Sequence, residues 1–241
     1  MIIYEFCLFC PDREIIRSVK PAGFESVPNS DNAVKLTRGG AMSGKKSNWD
    51  QFALLLIDVQ NDFWSAQIEK AFPHFKENIV SLLDLCRQQG IDVIHLRARF
   101  QSDKSDWMPI YRLGRKMPCV DGTSGVDLLV EAREQPGERV IEKQCFDAFL
   151  MDELEPHLQH YHKRFLLTAG LVTSICVLTT TLSAMQRGYL TGIVEDCCAD
   201  EVAAHTHALD RYSFMFERTT VAQLAEQLPR WQQMIDRLED K

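Results

Sequence analysis

From residue 52 to residue 196 the apolar positions alternate between two textures. "FALLLIDV" (52–59) is a continuous apolar run of strand length, as expected for a strand covered on both faces in a parallel sheet. "HFKENIVSLLDLCRQQG" (74–90) then spaces Ile79, Leu82, Leu83 and Leu85 at helical intervals, with Gly90 placed to end the helix. The exchange repeats down the chain. Further strands are predicted at "IDVIHLRA" (91–98), "ERVIEK" (138–143), "RFLLTAGL" (164–171) and "YLTGIVED" (189–196). Helices are predicted at "SGVDLLVEA" (124–132), "FLMDELEPHLQHY" (149–161), "SICVLTTTLSAMQRG" (174–188) and "ADEVAAHTHALDRYS" (199–213). A terminal helical region, "LAEQLPRWQQMIDRLE" (224–239), is expected to break at Pro229. Strands separated by helices read as an α/β fold, a parallel sheet with helices on both faces.

The region before Trp49 has no such periodicity. "MIIYEFCLFCPDREIIRSVK" opens apolar, but Glu5 interrupts it and no small-residue cleavage site comes after, so a signal peptide is not expected. Residues 21–47 are rich in Gly, Ser, Asn and Lys, the composition of a linker or disordered segment, and Met42 is a candidate start. Cys7 and Cys10 make one CxxC, too little for zinc without two more ligands at suitable spacing. We therefore divide the chain into an extension, 1–48, and a folded domain, 49–241.

Composition narrows the function. A net charge of -7 without a dense Lys/Arg block argues against nucleic acid or an anionic membrane surface as partner, since both require clustered positive charge. No apolar stretch is long enough to cross a bilayer. The eight cysteines are spread over a large domain, several inside apolar runs, which suits a reducing, cytoplasmic setting better than a disulfide scaffold. A small-molecule substrate is the expected ligand.

In open parallel sheets ligands sit beyond the carboxyl ends of the strands, and three of those ends carry reactive side chains. Asp58 ends the first strand, Lys143 the third, and Cys176 lies just past the fourth. Taken alone, Cys176 reads as core filling, because cysteine is among the most buried residue types. An aspartate inside "LLLIDVQNDF" is costly to bury unpaired. Together the three positions favour a nucleophile with a base and a cation beside it.

At these positions the sequence resembles the isochorismatase-like cysteine hydrolases, a family that includes nicotinamidases and carbamoyl-group amidohydrolases. The matching pieces are "LLLIDVQNDF", "DGTSGVDLL", "VIEKQCFDAF", "LLTAGLVTSICVLTTTLSAMQRGY" and "VEDCCAD", in family order over roughly residues 52–216. The resemblance implies a three-layer Rossmann-like fold with a six-stranded parallel sheet, and an Asp-Lys-Cys triad at Asp58, Lys143 and Cys176. It also implies a non-proline cis peptide between Leu171 and Val172.

The chemistry of such a triad rests on elementary arguments. With Thr173 as helix cap, Cys176 would fall in the first turn, where the helix dipole and a nearby Lys143 favour a thiolate. Asp58 can take the thiol proton and return it to a leaving amine. Backbone N–H groups of Val172 and Cys176 are the expected oxyanion donors. Ile175, Leu178, Leu182 and Met185 would form the apolar stripe of that helix, with Cys176 offset by one position. Cys86, Cys197 and Cys198 read as packing residues, and Cys145 as a neighbour of the site without its own base. Gln60, Asn61 and Asp62 are expected to tie down the loop after the first strand, with Asp62 also a candidate for orienting Lys143.

Nicotinamidases of this family hold a metal through an Asp and histidines after the second strand, but "RARFQSDKSDWMPIYRLGR" contains no histidine. His95 lies inside a strand, and His157, His160 and His162 read as a solvated face. Neither metal nor cofactor is therefore expected. Arg97 and Arg99 are candidates to fork onto a substrate carboxylate or carbonyl, and Trp107 is a candidate apolar wall. The expected activity is cleavage of a C–N bond in a small amide or carbamoyl compound through a thioester, in a homo-oligomer. A vinyl-ether hydrolase and a catalytically silent binding protein are the alternatives.

Overall fold

The computed structural model describes residues 49–240, so the extension expected over residues 1–48 lies outside the described residues. Six strands form one sheet in the order β3-β2-β1-β4-β5-β6, every pair parallel. They are β1 (Phe52–Ile57), β2 (Asp92–Ala98), β3 (Arg139–Lys143), β4 (Phe165–Leu171), β5 (Leu190–Ala199) and β6 (Glu217–Thr219). Seven helices are described: α1 (Ala66–Ala71), α2 (Phe75–Gln89), α3 (Pro109–Arg112), α4 (Leu154–His160), α5 (Leu178–Gln186), α6 (Val202–Arg211) and α7 (Val221–Glu239). The two central strands, β1 and β4, are buried at every position, which is why they read as unbroken apolar runs. Edge strand β3 instead alternates, hiding Ile141 and Lys143 and exposing Glu142.

One hydrophobic core spans both faces of the sheet. Helix α2 buries Phe75, Ile79, Leu82, Leu83 and Cys86, while Gly90 ends it in the left-handed region (φ 74). Helix α7 buries Leu224, Leu228, Trp231 and Ile235 and runs unbroken through Pro229. The expected break does not occur, because tertiary burial of that stripe outweighs the hydrogen bond that proline removes. Residues 124–132 form two short 3-10 turns, Ser124–Val126 and Val130–Ala132, in place of the expected helix. Among the described residues no helix is long and apolar enough to cross a membrane.

Candidate active site

The sheet order reverses between β1 and β4, which are neighbours although their onward connections leave in opposite directions. In open parallel sheets such a reversal, at the carboxyl ends of the strands, is where a ligand crevice forms. Asp58, directly after β1, sits at this reversal with φ 50, a strained conformation for a non-glycine residue, fixed by its N–H donating to Leu96 O at 2.8 Å. Beside it β4 carries Gly170 at φ +126, where a Cβ would stand 1.9 Å from Ile57 O. Only glycine lets the two strands close at this point.

Lys143 ends β3 and must cross β2 to reach this crevice. Its register partner there is Ala98, whose small side chain leaves the passage open. Lys143 Nζ donates to Asp58 Oδ2 at 2.7 Å, to Cys145 O at 3.0 Å and to Cys176 Sγ at 3.5 Å. All three side chains are buried: Asp58 is 0%, Lys143 1% and Cys176 4% exposed. The second oxygen of Asp58, Oδ1, is buried without a hydrogen-bond partner. Three reactive groups from three separate strand ends thus meet around one ammonium.

Cys176 lies in a wide π-helical turn, Thr173–Val177, that runs directly into α5. Val177 N–H reaches back five residues to Val172 O at 3.4 Å. An extra residue in a helical turn rotates the downstream positions by about 100°. Of the apolar stripe expected from the sequence, Leu178 is buried and Leu182 packs against the core, but Ile175 is 40% exposed, and Cys176, Val177, Thr180, Thr181 and Ala184 also face the interior. Thr173 does not cap the helix either. It lies inside the turn, buried, with Oγ1 2.8 Å from His205 Nδ1, and the N–H of Ser174 is taken by Asp200.

The resting thiol also differs from expectation. Its pKa lies well above that of a free cysteine, foremost because of burial and next because of the negative charge of Asp58; Lys143 opposes both without prevailing. The helix start expected to favour a thiolate already has the Asp200 carboxylate on it. Lys143 shifts upward, its burial outweighed foremost by the charge of Asp58. The ensemble is a neutral thiol beside an Asp–Lys ion pair. The neighbouring thiols are no more reactive: burial raises both Cys145 and Cys119.

The loop residues behave as binders of structure. Gln60 bridges Ala98 and Val126 through its side-chain amide, and Asn61 donates to Ser124 O. Asp62 accepts the Cys119 N–H at 2.7 Å and is not among the partners of the Lys143 ammonium. Arg97 pairs with Glu134, and Arg99 donates to Asp121 at 2.6 Å and Glu142 at 2.9 Å. Both arginines thus face carboxylates of this chain, and Arg97 keeps its Nε buried without a hydrogen-bond partner. Trp107 donates to Gln101 O and packs with Phe63 against a small cluster of Ala98, Phe100, Met117 and Cys119.

Several neighbours carry no signal in the sequence. Cys119, in a loop without periodicity, is drawn in by the Phe100–Val120 bridge, and its thiol feels the charges of Asp58, Asp62 and Lys143. Asp200 closes the family-like piece "VEDCCAD" without any sign of its contact with Ser174, and His205 reads only as a helix residue. Cys86, Cys197 and Cys198 are fully buried packing residues, as their apolar contexts suggest. His157 is not part of a solvated face, since it bonds Asp92 at 3.1 Å. Among the described residues no three His, Cys, Asp or Glu side chains gather into a group that could hold a metal ion.

Comparison with known proteins gives the family of the fold. The isochorismatase domain model matches residues 52–224. A maleamate amidohydrolase of Pseudomonas putida is 30% identical over 61% of this chain and 72% of its own length. An isochorismatase family protein of Bacillus subtilis is 28% identical over 68% of this chain and 88% of its own. The crystal structure of an isochorismatase family protein from Desulfovibrio vulgaris superimposes with a TM-score of 0.68 at 25% identity, covering 74% of this chain and 98% of that one. With its six-stranded parallel sheet and a family match over most of its described length, the chain belongs to the isochorismatase family of hydrolases.

Proposed function

We propose that the protein is a cysteine amidohydrolase that cleaves the C–N bond of a small amide or carbamoyl compound, with Cys176 as nucleophile, Asp58 as proton carrier and Lys143 as electrostatic partner. The observation that carries this reading is the convergence of two buried side chains on the buried Lys143 ammonium, Asp58 at 2.7 Å and Cys176 at 3.5 Å. A neutral thiol beside an unpartnered carboxylate oxygen is suited to concerted attack. The sulfur bonds to the carbonyl carbon as its proton passes to Asp58 Oδ1, and Lys143 offsets the charge that develops on sulfur.

The tetrahedral oxyanion falls to the N–H groups of Val172 and Cys176, while those of Ser174, Ile175 and Val177 are engaged elsewhere. Collapse breaks the C–N bond, and Asp58 hands its proton to the departing amine. Water then loses a proton to Asp58 and attacks the thioester carbonyl. Breakage of the C–S bond and return of the proton to sulfur restore the enzyme. A relative that hydrolyses maleamate supports an amide as substrate, and Trp107 with Phe63 supplies an apolar wall.

A panel of primary amides, ureas and carbamoyl acids assayed for ammonia release tests the proposal. Wild type and Cys86→Ala should turn over the same compound, and Cys176→Ala should fold but lose turnover. Undiminished turnover by Cys176→Ala would reject the thioester route and leave the vinyl-ether chemistry of the family as the better reading.

A further inference from the structure

The turn that carries Cys176 is wider than an α-helical turn, and an isolated chain would relax it, because the π geometry trades good hydrogen bonds for poor ones. Something outside the turn must hold it. At its leading edge Asp200, just past the end of β5, accepts the Ser174 N–H at 2.9 Å and the Ser174 hydroxyl at 2.6 Å through one oxygen, Oδ2. The other oxygen, Oδ1, takes the Glu201 N–H at 2.7 Å, where α6 is about to begin. Asp200 is only 8% exposed, so these charge-assisted bonds form away from bulk water. One residue earlier, Thr173 meets His205 of α6. At the trailing edge Thr181 Oγ1 bonds Val177 O at 2.7 Å and Thr168 Oγ1 of β4 at 2.8 Å.

We infer that Asp200 is a positioning residue that holds the turn 173–177 in its widened form, so that Cys176 faces Lys143 and Asp58. The inference rests on the proposed role of Cys176. Without the clamp on Ser174, the turn can shorten to α-helical geometry, which moves the positions after it by one residue and swings Cys176 away from the ammonium. Asp200 touches no reacting atom. Its effect is on where the sulfur stands.

Glu201 supplies the control. It caps α6 through Ala204 N–H at 3.0 Å and has no side-chain hydrogen bond to the turn, so its loss should weaken the start of α6 and leave the Asp200–Ser174 bonds in place. The variants to compare are Asp200→Asn, Ser174→Ala, Ser174→Thr and Glu201→Ala. With an amide substrate from the panel, Asp200→Asn should lower kcat by about 10- to 100-fold with KM changed less than about threefold, the penalty for a misplaced reacting group. Ser174→Ala should show a smaller loss of the same kind, and Ser174→Thr, which keeps the hydroxyl, should recover most of it. Glu201→Ala should lower the melting temperature without changing kcat.

The rate of iodoacetamide labelling at Cys176, followed by peptide mass spectrometry, reads the same displacement without turnover. It should change with pH differently in Asp200→Asn than in wild type. Values of kcat within twofold of wild type in both Asp200→Asn and Ser174→Ala, with superimposable labelling profiles, would overturn the inference. Equal losses of kcat in Glu201→Ala would also do so. An active Cys176→Ala enzyme would instead remove the proposed nucleophile, and the labelling profiles would still report whether Asp200 places the sulfur.

Discussion

At the scale of single residues, the state of Cys176 is set by competition rather than by any one neighbour. Burial and the Asp58 carboxylate raise the thiol pKa, and the Lys143 ammonium lowers it. Removal of each charged partner should therefore move the thiol in opposite directions. In Asp58→Asn a raising influence is lost, so the pH at which iodoacetamide labelling reaches half its limiting rate should fall, even as turnover is abolished. In Lys143→Met the lowering influence is lost and the same midpoint should rise. Because the ion pair is buried, each variant strands one charge, the Asp58 carboxylate in Lys143→Met and the Lys143 ammonium in Asp58→Asn, and both should melt earlier than wild type. Labelling profiles that move together, or not at all, would show that the thiol does not sense this pair. The contest also explains why a sequence-level reading favours a thiolate. Helix start and lysine are visible in the chain, but depth of burial is not.

At the scale of elements, the chain announces what is periodic and conceals what depends on partners. Strands β1 to β5 and helix α2 stand out because burial imposes its own period on them. The short α1, α3 and β6 give too few positions to show one, and β6 is implied only by the family resemblance. Asp58, Lys143 and Cys176 are legible as a group because each sits at the end of a periodic run. The π turn is not legible, since Asp200, Thr168 and His205 hold it from distant positions. Arg97 and Arg99 are visible as cations, but the carboxylates that occupy them are not. Joints between elements yield two further expectations. Gly170→Ala puts a methyl group against Ile57 O in a backbone region that L-residues avoid, so it should cost on the order of 1–3 kcal/mol from backbone strain, and more from the collision. Since Ile57 precedes Asp58, turnover should fall with stability; a melting scan and an ammonia assay check both. Glu138, before β3, takes Arg87 of α2 in a fork at 2.7 and 3.0 Å and His95 of β2 at 2.9 Å. Burial would raise its carboxyl, but Arg87, the Gln135 N–H and His95 overcome that and lower it to about 2 from an ordinary 4.5. A carboxyl depressed on folding stabilises above its unfolded pKa and loses that contribution as pH falls toward the folded value. Glu138→Gln should thus melt below wild type at pH 7, and the gap should close between about pH 5 and pH 2. A gap constant over that range would contradict the assignment.

At the scale of the whole molecule, chemistry and cohesion occupy opposite ends of the sheet. The reactive groups lie at the carboxyl ends of β1, β3 and β4, whereas an aromatic stack closes the amino ends. Phe52 opens β1 and Phe165 opens β4, their rings 5.3 Å apart, and Trp231 of α7 stacks on Phe165 at 4.6 Å. Trp49 meets Phe52 edge-on at 5.6 Å. Trp231 is fully buried, and its stack is what fastens the last helix to the sheet. Truncation to Trp231→Ala should cost about 3–5 kcal/mol, the usual penalty for emptying so large a core site. The cavity it leaves lies across the length of the strands from Cys176, so kcat per folded molecule and the labelling profile of Cys176 should match wild type at a temperature where the variant remains folded. Sites that share no partners contribute additively. The stability losses of Trp231→Ala and Asp200→Asn should accordingly sum in the double variant to within about 0.5 kcal/mol, with the kcat defect no larger than that of Asp200→Asn alone. Chemical denaturation of the four proteins closes this cycle. A coupling well beyond that limit, or a kcat defect that deepens when Trp231 is removed, would mean that the aromatic end of the sheet helps to place the nucleophile after all.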